Sequence, residues 1–234
     1  MIIERRSADR GHIRAGWLES RHTFSFGSYY DPAWMGFGPL RVINEDRVAP
    51  GAGFPPHRHA NMEILSYVLS GALAHRDSSG AGGGEIGPGQ LQWMSAGHGV
   101  EHSEYNASGT EPVHFLQIWL QPDRVNAAPA YARRDAGAGG DWQLLASPDG
   151  ADGSLAIRQD ARLHALRPPA GAEVARELSA ARRYWLHVAA GAVTLAGREL
   201  QAGDALGFIE ESATLRIERS GDTPADVLLF ELPA

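Results

Sequence analysis

Residues 50–63 read PGAGFPPHRHANME and lead directly into the apolar run ILSYVL at 64–69. Glycine and proline mark a turn, and two histidines, His57 and His59, then stand one residue apart. In an extended strand, residues i and i+2 share a face, so both imidazoles project to the same side. Such a pair is either an incidental polar edge or the first half of a metal site.

The surrounding chain reads as strands. LRVINED, MEILSYVLSGALAHRD, LQWMSAG, VHFLQIWLQ, YWLHVAAGAVTLAG, DALGFIE, ATLRIERS and VLLFELP are short segments rich in branched and aromatic residues, separated by Gly, Pro and Asp. In ATLRIERS the alternation predicts Leu215 and Ile217 inward, with Arg216 and Glu218 in water. SSGAGGGE, residues 78–85, predicts an exposed hairpin tip. DWQLLASP and the Ala/Gly-rich run at 126–140 are the best candidates for short helical or irregular pieces. An internal echo links YVLSGALAHRD…IGPGQLQWM with LHVAAGAVTLAG…LQAGDALGFIE. Two copies of one β fold explain it, with the boundary inside QPDRVNAAPAYARRDAGAGG. We place the domains at 1–125 and 126–234.

Composition narrows the function. The chain has 234 residues, 43% apolar and 21% charged, with a formal net charge of -7. It is large enough for a substantial core, and its negative charge argues against general attraction to nucleic acid or anionic membrane. There is no cysteine, which removes disulfides and thiolate metal sites. MIIERRSADRGH has no apolar segment after its charges, so no secretory signal or anchor is expected and a cytoplasmic location is the default.

The second half of a metal site is offered by GHGVEHSEYN, residues 97–106, where His102 and Glu104 repeat the i, i+2 relation. Two such pairs on neighbouring strands would gather three imidazoles and one carboxylate around a point. This donor set accepts Fe(II), Mn(II), Co(II), Ni(II) or Cu(II) and leaves about two octahedral positions open. His98 and Glu101 compete for the second pair, although Gly97 and Gly99 suggest a turn there. Glu63, four residues after His59, is a ligand or a carboxylate that orients an imidazole. His164 and His187, 23 residues apart with no HxH, read as core histidines.

GAGFPPHRHANME resembles the first motif of the cupin superfamily, and Gly99, His102 and Asn106 resemble the second. More narrowly, HTFSFGSYYDP, FGPLRVINEDRV, PPHRHANMEILSYVLSGALAHRDSSG, MSAGHGVEHSEYN and LQIWLQP resemble the pirin family. That resemblance covers residues 22 to about 122 densely. It implies an all-β bicupin, two stacked cupin β-sandwich or barrel domains, each a double-stranded β-helix, with the metal in the N-terminal one. The ligands it implies are His57, His59, His102 and Glu104, and it demotes Glu63. Gly97 stands where the broad cupin motif has proline. One divalent transition metal is implied, iron(II) first, with Ni, Cu, Co, Mn or Zn as alternatives.

For bacterial members the resemblance implies a quercetin 2,3-dioxygenase, which opens the flavonol ring with O2 to a depside and carbon monoxide. Glu104 is then the candidate catalytic base, and the partners are a flavonol or other small aromatic substrate and O2. Phe24, Phe26, Tyr29, Tyr30, Trp34, Met35 and Phe37 are candidates for an apolar wall or for core packing, and His98 for the mouth. The alternative is a metal-binding regulatory protein acting through protein partners, as eukaryotic pirins resemble. No direct nucleic-acid or membrane binding is expected, and internal duplication suggests a monomer. The fold also hosts sugar and small-acid chemistry and does not itself choose among these.

Overall fold

A computed structural model describes residues 1–80, 83–137 and 139–234. The chain divides into two units, one comprising Gly11–Asp135 with Leu155–Gln159, the other Met1–Arg10, Ala136–Ser154 and Asp160–Ala234. Each is built from antiparallel strands. Among the described residues the only helical pieces are two 3-10 turns, Ser7–Asp9 and Ala151–Gly153.

In the first unit, seven strands form one sheet in the order Ala130–Asp135, Gln90–Ser95, Glu63–Ser70, Val113–Leu120, Leu40–Val48, Leu18–His22 and Gly11–Ala15. A second sheet has the order Gly53–His59, Val100–Asn106, Leu73–Asp77 and Gly83–Ile86. The strand that carries HRH is thus a sheet edge. The other unit repeats the plan: Ala205–Phe208, Arg182–Ala190, Asp226–Pro233 and Arg162–Leu166 are consecutive in its larger sheet, and Glu173–Leu178, Ala213–Arg219, Ala192–Leu195 and Arg198–Gln201 form its smaller one. Among the described residues no strand pairing joins the two sheets of either unit. The units are therefore sandwiches rather than closed barrels.

Alternation sets the faces as expected in Ala213–Arg219, where Leu215 and Ile217 are buried while Arg216 and Glu218 are exposed. Two readings are corrected. DWQLLASP contains the strand Gln143–Ser147, which pairs with Arg162–Leu166. The run at 126–140 contains the strand Ala130–Asp135, which pairs with Gln90–Ser95. In both, cross-strand partners outweigh a weak local preference. Leu73–Asp77 and Gly83–Ile86 pair as the two arms of a hairpin, so Gly83, Gly84 and Glu85 of the expected tip belong to a strand; Ala81 and Gly82 of that stretch, and Ala138 of the later run, lie outside the described residues.

The interior of the first unit is interrupted by a polar band. On the strand Glu63–Ser70 the inward residues Ile64 and Val68 belong to separate apolar clusters, and Ser66 stands between them. On Val113–Leu120, Phe115 and Trp119 flank Gln117 in the same way. Val100–Asn106 turns Val100, His102, Glu104 and Asn106 inward. In the second unit the strand Ala213–Arg219 contributes Leu215 and Ile217 to one apolar cluster with Leu166, Leu186 and Leu229. Burying polar groups costs free energy unless they are partnered. The band therefore marks where the first unit departs from a plain sandwich.

Candidate metal centre

Residues Gly53–His59 and Val100–Asn106 pair antiparallel, with His57 opposite His102, Arg58 opposite Glu101 and His59 opposite Val100. The register slips between His102 and Glu104, so that Phe54 faces Glu104 and Pro55 and Pro56 form the irregularity. Proline suits that place, since it has no N–H to leave unpaired. Gly53 lets the strands close: a Cβ there would lie 2.3 Å from the Glu104 carbonyl oxygen.

This pairing gathers His57, His59 and His102, whose rings have centroid separations of 4.4 to 4.8 Å. Their donor nitrogens lie within 4.8 Å of one another, as do the ligand atoms of His75, His102 and Glu104. Of the four residues the resemblance implied, three form one cluster, and Glu104 adjoins it through His102. His57 Nδ1 donates to the Pro55 carbonyl at 2.8 Å, which leaves Nε2 as a bare lone pair. That Nε2 stands 3.1 Å from His102 Nε2. Two donors at right angles around an ion, each at ~2.1 Å, are ~3.0 Å apart, so the spacing fits a divalent ion.

Electrostatics favours the same state. Burial lowers the pKa of His59 to about 4, and the neighbouring His57 adds to the effect. Burial lowers His102 to about 2, with His59, His57 and His75 opposing a further charge. Neutral imidazoles are the form that binds a metal.

Glu104 is 1% exposed and held from three sides. Gln117 Nε2 donates to Oε2 at 2.6 Å, while Ser66 Oγ and Gln92 Nε2 donate to Oε1 at 2.9 and 3.4 Å. Gln92 also donates to His75 Nδ1 at 3.2 Å and accepts from Tyr131 OH at 3.0 Å. His75 Nε2 in turn faces Asp77 Oδ2 at 3.1 Å, and its ring stacks on Tyr131. The sequence reading missed His75, Ser66, Gln92, Gln117 and Tyr131. For His75 a signal existed, because LAHRD alternates Leu73, His75 and Asp77 on one face.

The other candidates fall elsewhere. Glu63 accepts from Trp93 Nε1 at 2.7 Å, from Ser95 Oγ and from the Arg158 amide at 3.0 Å. These partners sit on the face of the large sheet opposite Ser66. Glu101 points outward and pairs with Arg58 at 3.5 Å, and His98 is an exposed turn residue. Gly97 has φ +50° and its added Cβ would lie 2.1 Å from the Ala127 carbonyl oxygen. Proline cannot adopt that φ, which explains the departure from the broad motif. Phe24 and Phe37 are core residues and Tyr30 is exposed. Phe26 packs edge-on against Trp119, which packs edge-on against His59. His164 accepts from Arg176 Nη2 at 3.0 Å, and His187 is fully buried.

Comparison with known proteins identifies the family. A family model described as Pirin matches residues 4–120, and one described as Quercetinase C-terminal cupin domain matches 144–232. The chain is 44% identical over 233 residues to a quercetin 2,3-dioxygenase of Escherichia coli K12, covering 100% of this chain and 99% of that one. It is 41% identical over 217 residues to a pirin-like protein of Caulobacter vibrioides, covering 90% and 92%. The crystal structure of the bacterial pirin YhhW of Escherichia coli in complex with nickel(II) superposes with a TM-score of 0.92 at 43% identity, covering 100% and 99%.

Proposed function

This chain belongs to the pirin family, and from that membership and its donor cluster we propose a metal-dependent oxidoreductase of the quercetin 2,3-dioxygenase type. Its substrates are a flavonol, or a closely related small aromatic enol, and O2; the ring opens to a depside with release of carbon monoxide. His57, His59, His102 and Glu104 hold one divalent transition ion in the N-terminal cupin, and the C-terminal cupin carries none. The observation that carries this reading is the convergence of the His57, His59 and His102 rings, with the Nε2 atoms of His57 and His102 3.1 Å apart.

When bound, the ion supplies Lewis acidity toward the flavonol 3-hydroxyl and the redox capacity that O2 chemistry needs. Three neutral imidazoles and one carboxylate leave a formal site charge of about +1, which favours an anionic enolate over neutral substrate. Glu104 receives the hydroxyl proton at Oε1: the substrate O–H breaks and a carboxyl O–H forms. Ser66 accommodates both states. Its hydroxyl donates to Glu104 Oε1 at 2.9 Å when the carboxylate is ionised, and can turn to Gln117 Oε1 at 3.1 Å when Glu104 itself becomes the donor. Gln117 meanwhile keeps Oε2 in place. Trp119 and Phe26 cover one side of His59 with aromatic surface and limit water there.

Metal analysis combined with flavonol turnover under air and under argon tests the proposal. Metal-loaded protein should consume a flavonol only in air and release carbon monoxide. Metal-loaded protein with no oxygen-dependent flavonol loss would overturn it.

A further inference from the structure

His59 has a second neighbourhood that the metal chemistry does not use. It stands in the wall of a cavity of about 540 Å³ lined also by Arg58, Ser78, His98, Val100 and Glu101. That volume is in the range of small-molecule sites. Backbone contacts fix its rim. Arg58 and Glu101 are register partners on paired strands. Ser78 N donates to the Glu101 carbonyl at 2.8 Å, and Ser78 Oγ accepts from the Glu101 amide at 3.0 Å. His98 N donates to the Ala127 carbonyl at 2.8 Å, and the glycines on either side, at φ +50° and +144°, hold its turn.

We propose that this cavity receives the part of the substrate remote from the metal, and that Arg58, His98 and Glu101 select hydroxylated aromatic rings over bare ones. The inference rests on the flavonol reading above and adds its specificity. A phenolic hydroxyl can donate to the Glu101 carboxylate and accept from the Arg58 guanidinium or the His98 ring, while Val100 meets the ring carbons. Ser78, whose lone pair already serves the Glu101 amide, keeps its proton free to donate. A bare phenyl ring offers no such partner, so where it covers these groups it displaces their water and leaves them only the 3.5 Å Arg58–Glu101 ion pair. Sites with hydrogen-bonding groups reject ligands lacking the hydroxyl far more strongly than apolar pockets discriminate size.

The test compares two flavonols that differ in this ring: quercetin, with two ring hydroxyls, and galangin, with none. Binding to metal-loaded protein is measured under argon by fluorescence quenching, and kcat/KM in air. Wild type should favour quercetin by roughly tenfold or more, and His98→Ala and Glu101→Gln should each lower that ratio by roughly threefold or more. Metal content and melting temperature of the variants report that they are folded and loaded. Wild-type protein that binds both flavonols equally, or loaded variants that keep the wild-type ratio, would overturn the specificity proposal and leave the dioxygenase reading standing. Absence of binding and turnover for both flavonols would overturn the two together.

Discussion

His57 Nε2 and His102 Nε2 face each other at 3.1 Å across two paired strands, with His57 Nδ1 turned to the Pro55 carbonyl. A divalent ion between them would take a lone pair from each ring and displace any proton they share. His102→Ala should therefore lose stoichiometric metal by elemental analysis. Added divalent ion should raise the melting temperature of wild type, because it binds only the folded state, and leave that of the variant unchanged. Full occupancy in His102→Ala would contradict this.

Glu104→Gln keeps the shape but removes the charge and the proton acceptor. Turnover should fall roughly 10²- to 10⁴-fold, the range for loss of a positioned base, with weaker metal retention. Ser66→Ala is the subtler probe. It should keep its metal, since Gln117 still holds Oε2, yet lower kcat about tenfold with little change in KM. Ser66→Thr, which restores a hydroxyl, should recover much of the loss; an unaffected kcat in Ser66→Ala would remove the serine from the proton step.

For Glu63 the expectation is the reverse. Its carboxylate serves Trp93, Ser95 and the Arg158 amide away from the imidazoles. Glu63→Ala should cost about 2–4 kcal/mol in denaturant unfolding, because buried donors lose their acceptor, while metal stoichiometry stays at the wild-type value. Loss of metal from folded protein would assign it to the centre after all.

Asp46 governs a pH effect. Burial raises its pKa from 3.8 to about 7, the charges of Glu104 and Glu45 add to the rise, and the facing Ser20 opposes it. The folded state thus holds a proton that the unfolded chain releases near pH 4, so stability falls as pH climbs from about 4 to about 7 and stays reduced above it. Asp46→Asn removes that penalty. Relative to wild type it should gain stability with rising pH, by at most about 4 kcal/mol at pH 8 at ~1.4 kcal/mol per unit, and the difference should vanish near pH 4. Parallel stability profiles for the two proteins would refute the assignment.

Period-two patterning made HRH and HSE legible as pairs with a shared face, and it made most of the strands legible as well. What it could not carry was information across the turn at Asn61, where φ +51° resets the alternation and sends Glu63 to the far side of its sheet. Nor can one strand's pattern identify its neighbours. Ser66, Gln92 and Gln117 look like ordinary polar interruptions in apolar strands, and only the register of three paired strands brings them to Glu104. Gln143–Ser147 escaped notice because its pairing partner lies some twenty residues on, beyond the reach of local preference.

The HRH strand lies at a border of its sheet, and the exposed Pro55 and Pro56 interrupt that border. An unprotected margin would invite a foreign chain to zip onto it and bury the imidazoles under an intermolecular ladder. Two residues without amide hydrogens deny such a chain its anchor points. The same pair that shapes the register thus keeps an accessible centre from becoming a seed for aggregation.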